Sequence, residues 1–358
     1  MIVESARSTP AGPGPILVAH RGASGYAPEH TLEAYRLAIE QGADFIEPDL
    51  VMTRDGVLVA RHENEIGGTT DVAQHPRFAD RRTTKLVDGV PVEGWFVEDF
   101  TLEELKTLRA RERIPQLRPE NAWLDGRFEI PTLEEILALV QEMQAVRVAA
   151  GDARPIGIYP ETKHPSHFAA LGLPMEEALL ETLGRWGYTD AAAPVYIQSF
   201  ETANLRRLRE QTSIRLMQLI DASGAPFDCR ARGEARTYAD MTTDRGLDEI
   251  AAYADAVGPH KSLVIPVAEG GRLGTPTGLV ERAHARGLEV HAWTFRAENE
   301  FLPPALRWGA DRAAHGDLAA EIAAYFDAGV DGIFVDHPDR AVWAREVWRR
   351  HGARAPLP

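Results

Sequence analysis

Short apolar runs alternate along the chain with segments whose apolar residues recur at helical spacing. Residues 16–19 form the first run. Leu32, Tyr35 and Ile39 then fall on one face of a predicted helix over 31–41, and Gly42 supplies a natural C-terminal stop. Runs at 43–50 and 57–61 read as strands. Thr101-Leu-Glu-Glu104 and Thr132-Leu-Glu-Glu135 each carry the reciprocal pattern that caps a helix N-terminus. Further strands are expected at 156–160, 195–199, 216–220, 254–257, 288–293 and 332–335, with helical patterns at 176–186, 277–286 and 319–328 between them.

Repeated β–α alternation of this kind points to a parallel α/β fold. A closed (β/α)8 TIM barrel suits the count better than a doubly wound sheet, because no glycine-rich dinucleotide fingerprint follows an early strand. One segment, 63–131, is too long for an ordinary βα loop and is expected to be a small insertion after the second strand, lying over the barrel mouth. Smaller insertions are expected at 221–245 and 295–316. The domain plan is an N-terminal tail over 1–15, one barrel domain over 16–350 and a C-terminal tail over 351–358.

Composition narrows the function more than the fold. The chain has 358 residues and a formal net charge of −15, a balance that disfavours binding to a nucleic-acid backbone. Its one cysteine, Cys229, rules out an internal disulfide and a cysteine-based zinc site. Asp228, Arg230 and Arg232 around it read as a polar loop, a poor setting for a nucleophile. No run reaches the ~18 apolar residues of a membrane span. Residues 1–15 lack the basic and apolar regions of a signal peptide, so this chain reads as cytoplasmic, or as exported if a leader has been removed.

In a barrel, chemistry collects at the C-terminal ends of the strands. Those ends are polar here: His20-Arg21-Gly22, Glu47 with Asp49, His62, Glu161 with Lys163, Gln198-Ser199, His291 to Thr294 and Asp336-His337. Two positions apart on a strand, Glu47 and Asp49 point the same way and would repel in a dry site unless a cation lies between them. Glu161 could complete an all-oxygen set suited to Mg²⁺ or Ca²⁺; ion pairing to barrel arginines is the competing account of the same acids. Lys163 could hold an anion, pair locally, or form a Schiff base, the last disfavoured by its acidic neighbours. His20 and His62 suit acid–base work near neutral pH, and Arg21 offers a planar fork for phosphate. His62-Glu63-Asn64-Glu65 is followed by Ile66, so it is no zinc-protease motif, and Gly-x-Ser-x-Gly is absent. The set fits hydrolysis of a phosphate ester.

Residues 19–62, AHRGASGYAPEHTLEAYRLAIEQGADFIEPDLVMTRDGVLVARH, resemble the glycerophosphodiester phosphodiesterase family. The family pattern of His-Arg-Gly, Pro-Glu-x-Thr, Gly-Ala-Asp-x-Ile-Glu-x-Asp, Thr-x-Asp-Gly and a closing His is present in order. Further matches are Ile158-Tyr-Pro-Glu-Thr-Lys163, Ile197-Gln-Ser-Phe200, Val290-His-Ala-Trp-Thr-Phe-Arg296 and Val330 to Pro338. The long segment after His62 is similar to that of the branch holding bacterial periplasmic enzymes and plant relatives.

The resemblance implies a TIM barrel that hydrolyses small-molecule glycerophosphodiesters, such as glycerophosphocholine, to sn-glycerol 3-phosphate and an alcohol. It implies that Glu47, Asp49 and Glu161 hold Ca²⁺ or Mg²⁺, that His20 and His62 are the acid–base pair, and that Arg21 and Lys163 bind phosphate. Trp293 would line the pocket. The neighbouring glycerol hydroxyl would attack first, with His20 as initial base, and water would then open a cyclic phosphate. Many members have Asp after the closing histidine where this chain has Glu63, which bears on how His62 is oriented. A relative acting on lysophospholipids or other diesters, and a non-catalytic diester-binding barrel, are the alternatives.

Overall fold

The computed structural model describes residues 14–351, so the expected tails lie outside the described residues except for 14, 15 and 351. Among the described residues are thirteen strands: β1 (Ile16–Ala19), β2 (Phe45–Ile46), β3 (Asp49–Met52), β4 (Leu58–Ala60), β5 (Thr83–Val87), β6 (Val90–Gly94), β7 (Gly157–Ile158), β8 (Glu161–Thr162), β9 (Tyr196–Ser199), β10 (Arg215–Ile220), β11 (Ala256–Pro259), β12 (Glu289–Phe295) and β13 (Gly332–Val335).

Eight barrel positions are filled by parallel pairing. β1 lies between β13 and β2, and β9 through β13 follow one another in order. β2 and β3 are two pieces of the second barrel strand. β7 and β8 are two pieces of the third. A parallel bridge from Ile158 to Val195 helps close the ring. The fold is a (β/α)8 barrel.

The expected single strand over 43–50 is therefore corrected. It breaks at Glu47-Pro48, and the third strand breaks in the same way at Tyr159-Pro160. Proline has no N–H for the ladder, and at these two positions the pairing opens. Both breaks sit just before an acidic residue or contain one. The sixth strand begins two residues later than expected, at Ala256. The run at 57–61 is β4, an antiparallel partner of β3 outside the parallel ring.

The helix Leu32–Glu40 is capped by Thr31, and both capping boxes form, at Thr101/Glu104 and Thr132/Glu135. Inside the barrel, Val18, Phe45, Tyr159, Tyr196, Met217 and Phe334 pack together, with the Tyr159 and Tyr196 rings stacked at 4.9 Å. This fills the barrel axis, so a ligand can enter only from an end.

Residues 63–131 leave the barrel after β4 and return beside it. The Ala60 amide donates to the Pro131 carbonyl at 2.9 Å, and Val59 bridges Thr132. The segment carries the β5–β6 hairpin and short helical turns. Its buried Ile66, Phe78, Phe100 and Leu105 join the main hydrophobic core. The hairpin tip crosses the mouth: Asp88 pairs with His164 at 2.6 Å, and its carbonyl accepts from Arg230. Among the described residues no helix is long and apolar enough to cross a membrane.

Candidate active site

The strand ladder sets the height of the acids. Asp49 is in register with Glu161, and Glu161 with Gln198, so three polar side chains from three strands share one level. Glu47, in the break before Pro48, turns to the same place. Gln198 Nε2 donates to its Oε1 at 2.6 Å, and the Arg21 amide donates to its Oε2 at 3.2 Å. Glu47, Asp49 and Glu161 each bring a carboxylate oxygen within 4.8 Å of the others.

The electrostatics show a strained set of acids. Burial, with Asp49 and Glu161 adding repulsion, pushes the Glu47 carboxyl well above its ordinary range. Burial pushes Glu161 up to about 8, even against Lys163. Asp49 is the exception. Burial favours its neutral form too, but Lys163 and His30 together hold it well below the usual carboxylate range. His30 Nε2 reaches Asp49 Oδ2 at 3.0 Å, which leaves Asp49 Oδ1 buried with no hydrogen-bond partner. An ionised, orphaned oxygen between two acids that resist ionising fits an absent hard cation, and the all-oxygen donor set suits Ca²⁺ or Mg²⁺.

Lys163 Nζ lies 2.7 Å from Glu161 Oε1 and 3.9 Å from Asp49 Oδ2. Burial alone would depress the ammonium, but the two acids outweigh it and keep the lysine charged. A charged lysine does not form a Schiff base.

His20 follows β1, and its Nδ1–H donates to Asp336 Oδ1 at 2.7 Å. His62 follows β4, and its Nδ1–H donates to Glu63. Each ring therefore keeps Nε2 for the cavity, and His20 Nε2 lies 3.9 Å from Glu47. Burial and the cations Arg21 and Lys163 lower His62 to about 3; burial and Arg21 lower His20 to about 4. Arg21 sits at φ +60° and Gly22 at φ +86°; a Cβ on Gly22 would come within 2.7 Å of the Ala34 backbone. That close approach explains the glycine of His-Arg-Gly.

His20, Arg21, Glu47, His62, Glu161 and Lys163 line a cavity of about 710 Å³ at the C-terminal end of the barrel, which reaches out to Trp293, Phe227 and Asp88, with Asp49 buried outside its lining. Trp293 meets Phe200 edge-on at 5.7 Å and donates from Nε1 to the Gly258 carbonyl. The profile of the glycerophosphoryl diester phosphodiesterase family matches residues 20–340. The chain belongs to that family. It is thus a phosphodiesterase, a hydrolase of phosphoric diesters.

Relatives agree with the assignment. A glycerophosphodiester phosphodiesterase of Arabidopsis thaliana is 39% identical over 334 residues, covering 90% of this chain and 83% of its own. One from Haemophilus influenzae is 30% identical over 353 residues, covering 91% and 88%. Among solved structures, a glycerophosphoryl diester phosphodiesterase from Silicibacter pomeroyi superposes with a TM-score of 0.65 at 24% identity, covering 93% of this chain and 94% of its own. An Oleispira antarctica phosphodiesterase in complex with the product sn-glycerol-3-phosphate gives 0.59 at 20% identity, covering 93% and 97%.

In this phosphodiesterase all eight residues expected at the site lie around one barrel mouth. Several neighbours were not singled out from the sequence. Glu29 accepts from Arg21 and Arg113, and His30 supports Asp49, while Asp336, expected only as a polar strand end, supports His20. Glu29 and His30 lie inside the Pro-Glu-x-Thr motif, which was a usable signal. Arg113 and Arg118 lie in an arginine-rich stretch with no such signal.

The polar loop expected around Cys229 is corrected: the residue lies in the short helix Phe227–Ala231, fully buried, and burial raises its thiol, which agrees with the expectation of a poor nucleophile. A second convergent group is formed by Glu298, His315 and His337. Protein groups engage part of it, since Arg118 Nε donates to Glu298 Oε1 and the Ala297 amide donates to His337 Nδ1, while Glu298 Oε2 and His337 Nε2 are buried without a hydrogen-bond partner.

Proposed function

We propose that this phosphodiesterase hydrolyses glycerophosphodiesters such as glycerophosphocholine to sn-glycerol 3-phosphate and an alcohol, using Ca²⁺ or Mg²⁺ held by Glu47, Asp49 and Glu161. The observation that carries the reading is the orphaned Asp49 Oδ1 among three convergent acids, flanked by two histidines whose Nδ1 is tied back. The names of the Arabidopsis and Haemophilus relatives support the substrate class. When bound, the cation supplies Lewis acidity toward the phosphoryl oxygens.

Arg21 and Lys163 carry fixed positive charge at the same place and oppose the negative charge that builds on those oxygens. Arg21 lines the cavity, with Nε 3.4 Å from Asp49 Oδ2 and a terminal nitrogen on Glu29, which fixes its charge beside the acids. His20 Nε2 takes the proton from the glycerol hydroxyl next to phosphorus. That oxygen bonds to phosphorus, the bond to the alcohol breaks, and His62 gives the alcohol oxygen its proton. Water then opens the cyclic phosphate with the two roles exchanged. His62 must be protonated to begin. Arg21 and Lys163 oppose this in the free enzyme, and a phosphodiester anion bound between them offsets their field. The attacking hydroxyl belongs to the substrate, so proximity assists the first step. Trp293 offers an apolar wall to substrate carbons.

The test is release of sn-glycerol 3-phosphate from glycerophosphocholine by the purified chain with Ca²⁺, Mg²⁺ or EDTA, beside Glu47→Ala and His20→Ala. Activity that EDTA and both substitutions abolish is expected. Silence with both metals would reject the substrate, and full activity in EDTA would reject the cation.

A further inference from the structure

The two histidines are backed by two carboxylates, and each carboxylate is gripped from behind by an arginine of the inserted segment. Arg113 makes a double fork. Its Nε and one terminal nitrogen donate to Glu29 at 2.9 and 2.6 Å, and its two terminal nitrogens donate to Glu63 at 3.0 and 2.6 Å. Glu63 in turn accepts from His62. Arg118 donates to Asp336 Oδ2 at 2.6 Å, to Glu298 at 2.6 Å and to the Ser24 carbonyl at 2.9 Å. The other Asp336 oxygen accepts from His20, and the Ser24 hydroxyl donates to the His20 carbonyl at 2.8 Å.

We propose that Arg113 and Arg118 are positioning residues, which fix the direction in which His62 and His20 present Nε2 to the substrate. This rests on the reading of those histidines as the acid–base pair. A carboxylate held only by an imidazole can pivot about its own side-chain torsions, carrying the ring with it. A second partner on its remaining lone pairs stops the pivot, and a planar guanidinium does so better than a point-charge ammonium. The need is greater at His62, because Glu63 has one more torsion than the aspartate usual in the family. The two-pronged grip of Arg113 on Glu63 removes that freedom. Arg113 also holds Glu29, which accepts from Arg21 at 3.0 Å, so one residue orients both a histidine and a phosphate-binding arginine. Arg118 is not needed to neutralise Asp336, since Arg296 donates to the same oxygen at 2.9 Å. What Arg118 adds beyond Arg296 is the tie from Asp336 to Glu298 and to the Ser24 carbonyl, which anchors the carboxylate to the loop that carries His20.

The experiment measures kcat and KM for glycerophosphocholine with the full chain and its activating cation. Arg113→Met and Arg118→Met, checked for folding by circular dichroism, should each lower kcat by about ten- to a hundredfold while KM stays within about threefold. Arg118→Lys, which keeps charge and loses the fork, should recover only part of kcat. Asp336→Asn should lower kcat, with no further loss when Arg118→Met is added. Glu63→Gln should mask most of the Arg113→Met loss, leaving the share that reaches Arg21 through Glu29, whereas Arg118→Met and Glu63→Gln should multiply.

Folded single variants at full kcat, or multiplicative losses within each pair, would overturn the proposal. If Arg118→Met does not fold, Arg118→Lys and its pairing with Asp336→Asn carry the same test. An inactive wild type, or active His20→Ala and His62→Ala variants, would instead sink the acid–base reading. Those two failures are thus separable.

Discussion

The floor of the site and its roof are built by opposite rules. The floor acids come from barrel strands, where the ladder fixes height and the pleat fixes direction, so Asp49 and Glu161 meet by register. The roof arginines come from irregular backbone, and their partners are far away in sequence. Arg113 reaches Glu29 across 84 positions, and Arg118 reaches Asp336 across 218. The floor gathers three acids at one level, and the roof grips its carboxylates with arginines of its own. A strand can place a ligand, and a loop can orient one, provided that the loop is packed into the core.

The largest effect should come from the floor. Asp49→Asn removes the one acid held ionised, and activity should fall on the order of 10²–10³-fold, with weaker cation binding by calorimetry. An Asp49→Asn enzyme with undiminished cation affinity would break the contrast between floor and roof.

Next is the packing of the roof. Phe100 is fully buried in the shared core, and Phe100→Ala should cost about 3–5 kcal/mol. Thermal unfolding should remain a single transition in both far-ultraviolet circular dichroism and tryptophan fluorescence. Two separated transitions would mean that the roof is an independent unit.

A third prediction concerns Glu201, a buried acid after β9 that burial pushes up to about 7. The folded chain keeps a proton that the unfolded chain releases above its ordinary value of 4.5, so this group removes stability as pH rises from about 4.5 to about 7, and the loss levels off above that. Glu201→Gln should therefore be more stable than wild type at pH 8 and nearly equal to it at pH 4, read by denaturant midpoints. Equal midpoints at both pH values would remove the claim.

The smallest effect is expected at the hairpin. Arg82 pairs with Glu93 at 2.8 Å, but both side chains are about half exposed. Arg82→Ala should change stability by no more than about 0.5 kcal/mol and leave kcat untouched. A large loss of activity there would show that any roof arginine matters, not only the two behind the histidines.

The floor was legible in the sequence because its signals are local. Two acids separated by one residue, a histidine closing an apolar run and a Thr-x-x-Glu cap are each decided within a few positions. The prolines at 48 and 160 were visible too, yet the strand over 43–50 was read through Pro48, and the one over 156–160 was read as ending at Pro160 with no second piece beyond it. A neighbouring ladder can carry a strand across one missing donor, and only the pairing shows that it stops. The roof was not legible. Arg109, Arg111, Arg113 and Arg118 look equivalent along the chain, and what separates them is a carboxylate brought close by the fold. Cys229 misled for the same reason: its charged neighbours face outward or pair, and the thiol turns in.

The ends of the roof segment meet beside β4, where the Ala60 amide touches the Pro131 carbonyl. In mechanical terms the segment hangs from a closed stem: its length is not strung between separated anchors. Its Asp88 tip is tied to His164 and Arg230 on the far side of the mouth. Held at both root and tip, the segment spans the mouth as an arch and not as a hinged flap.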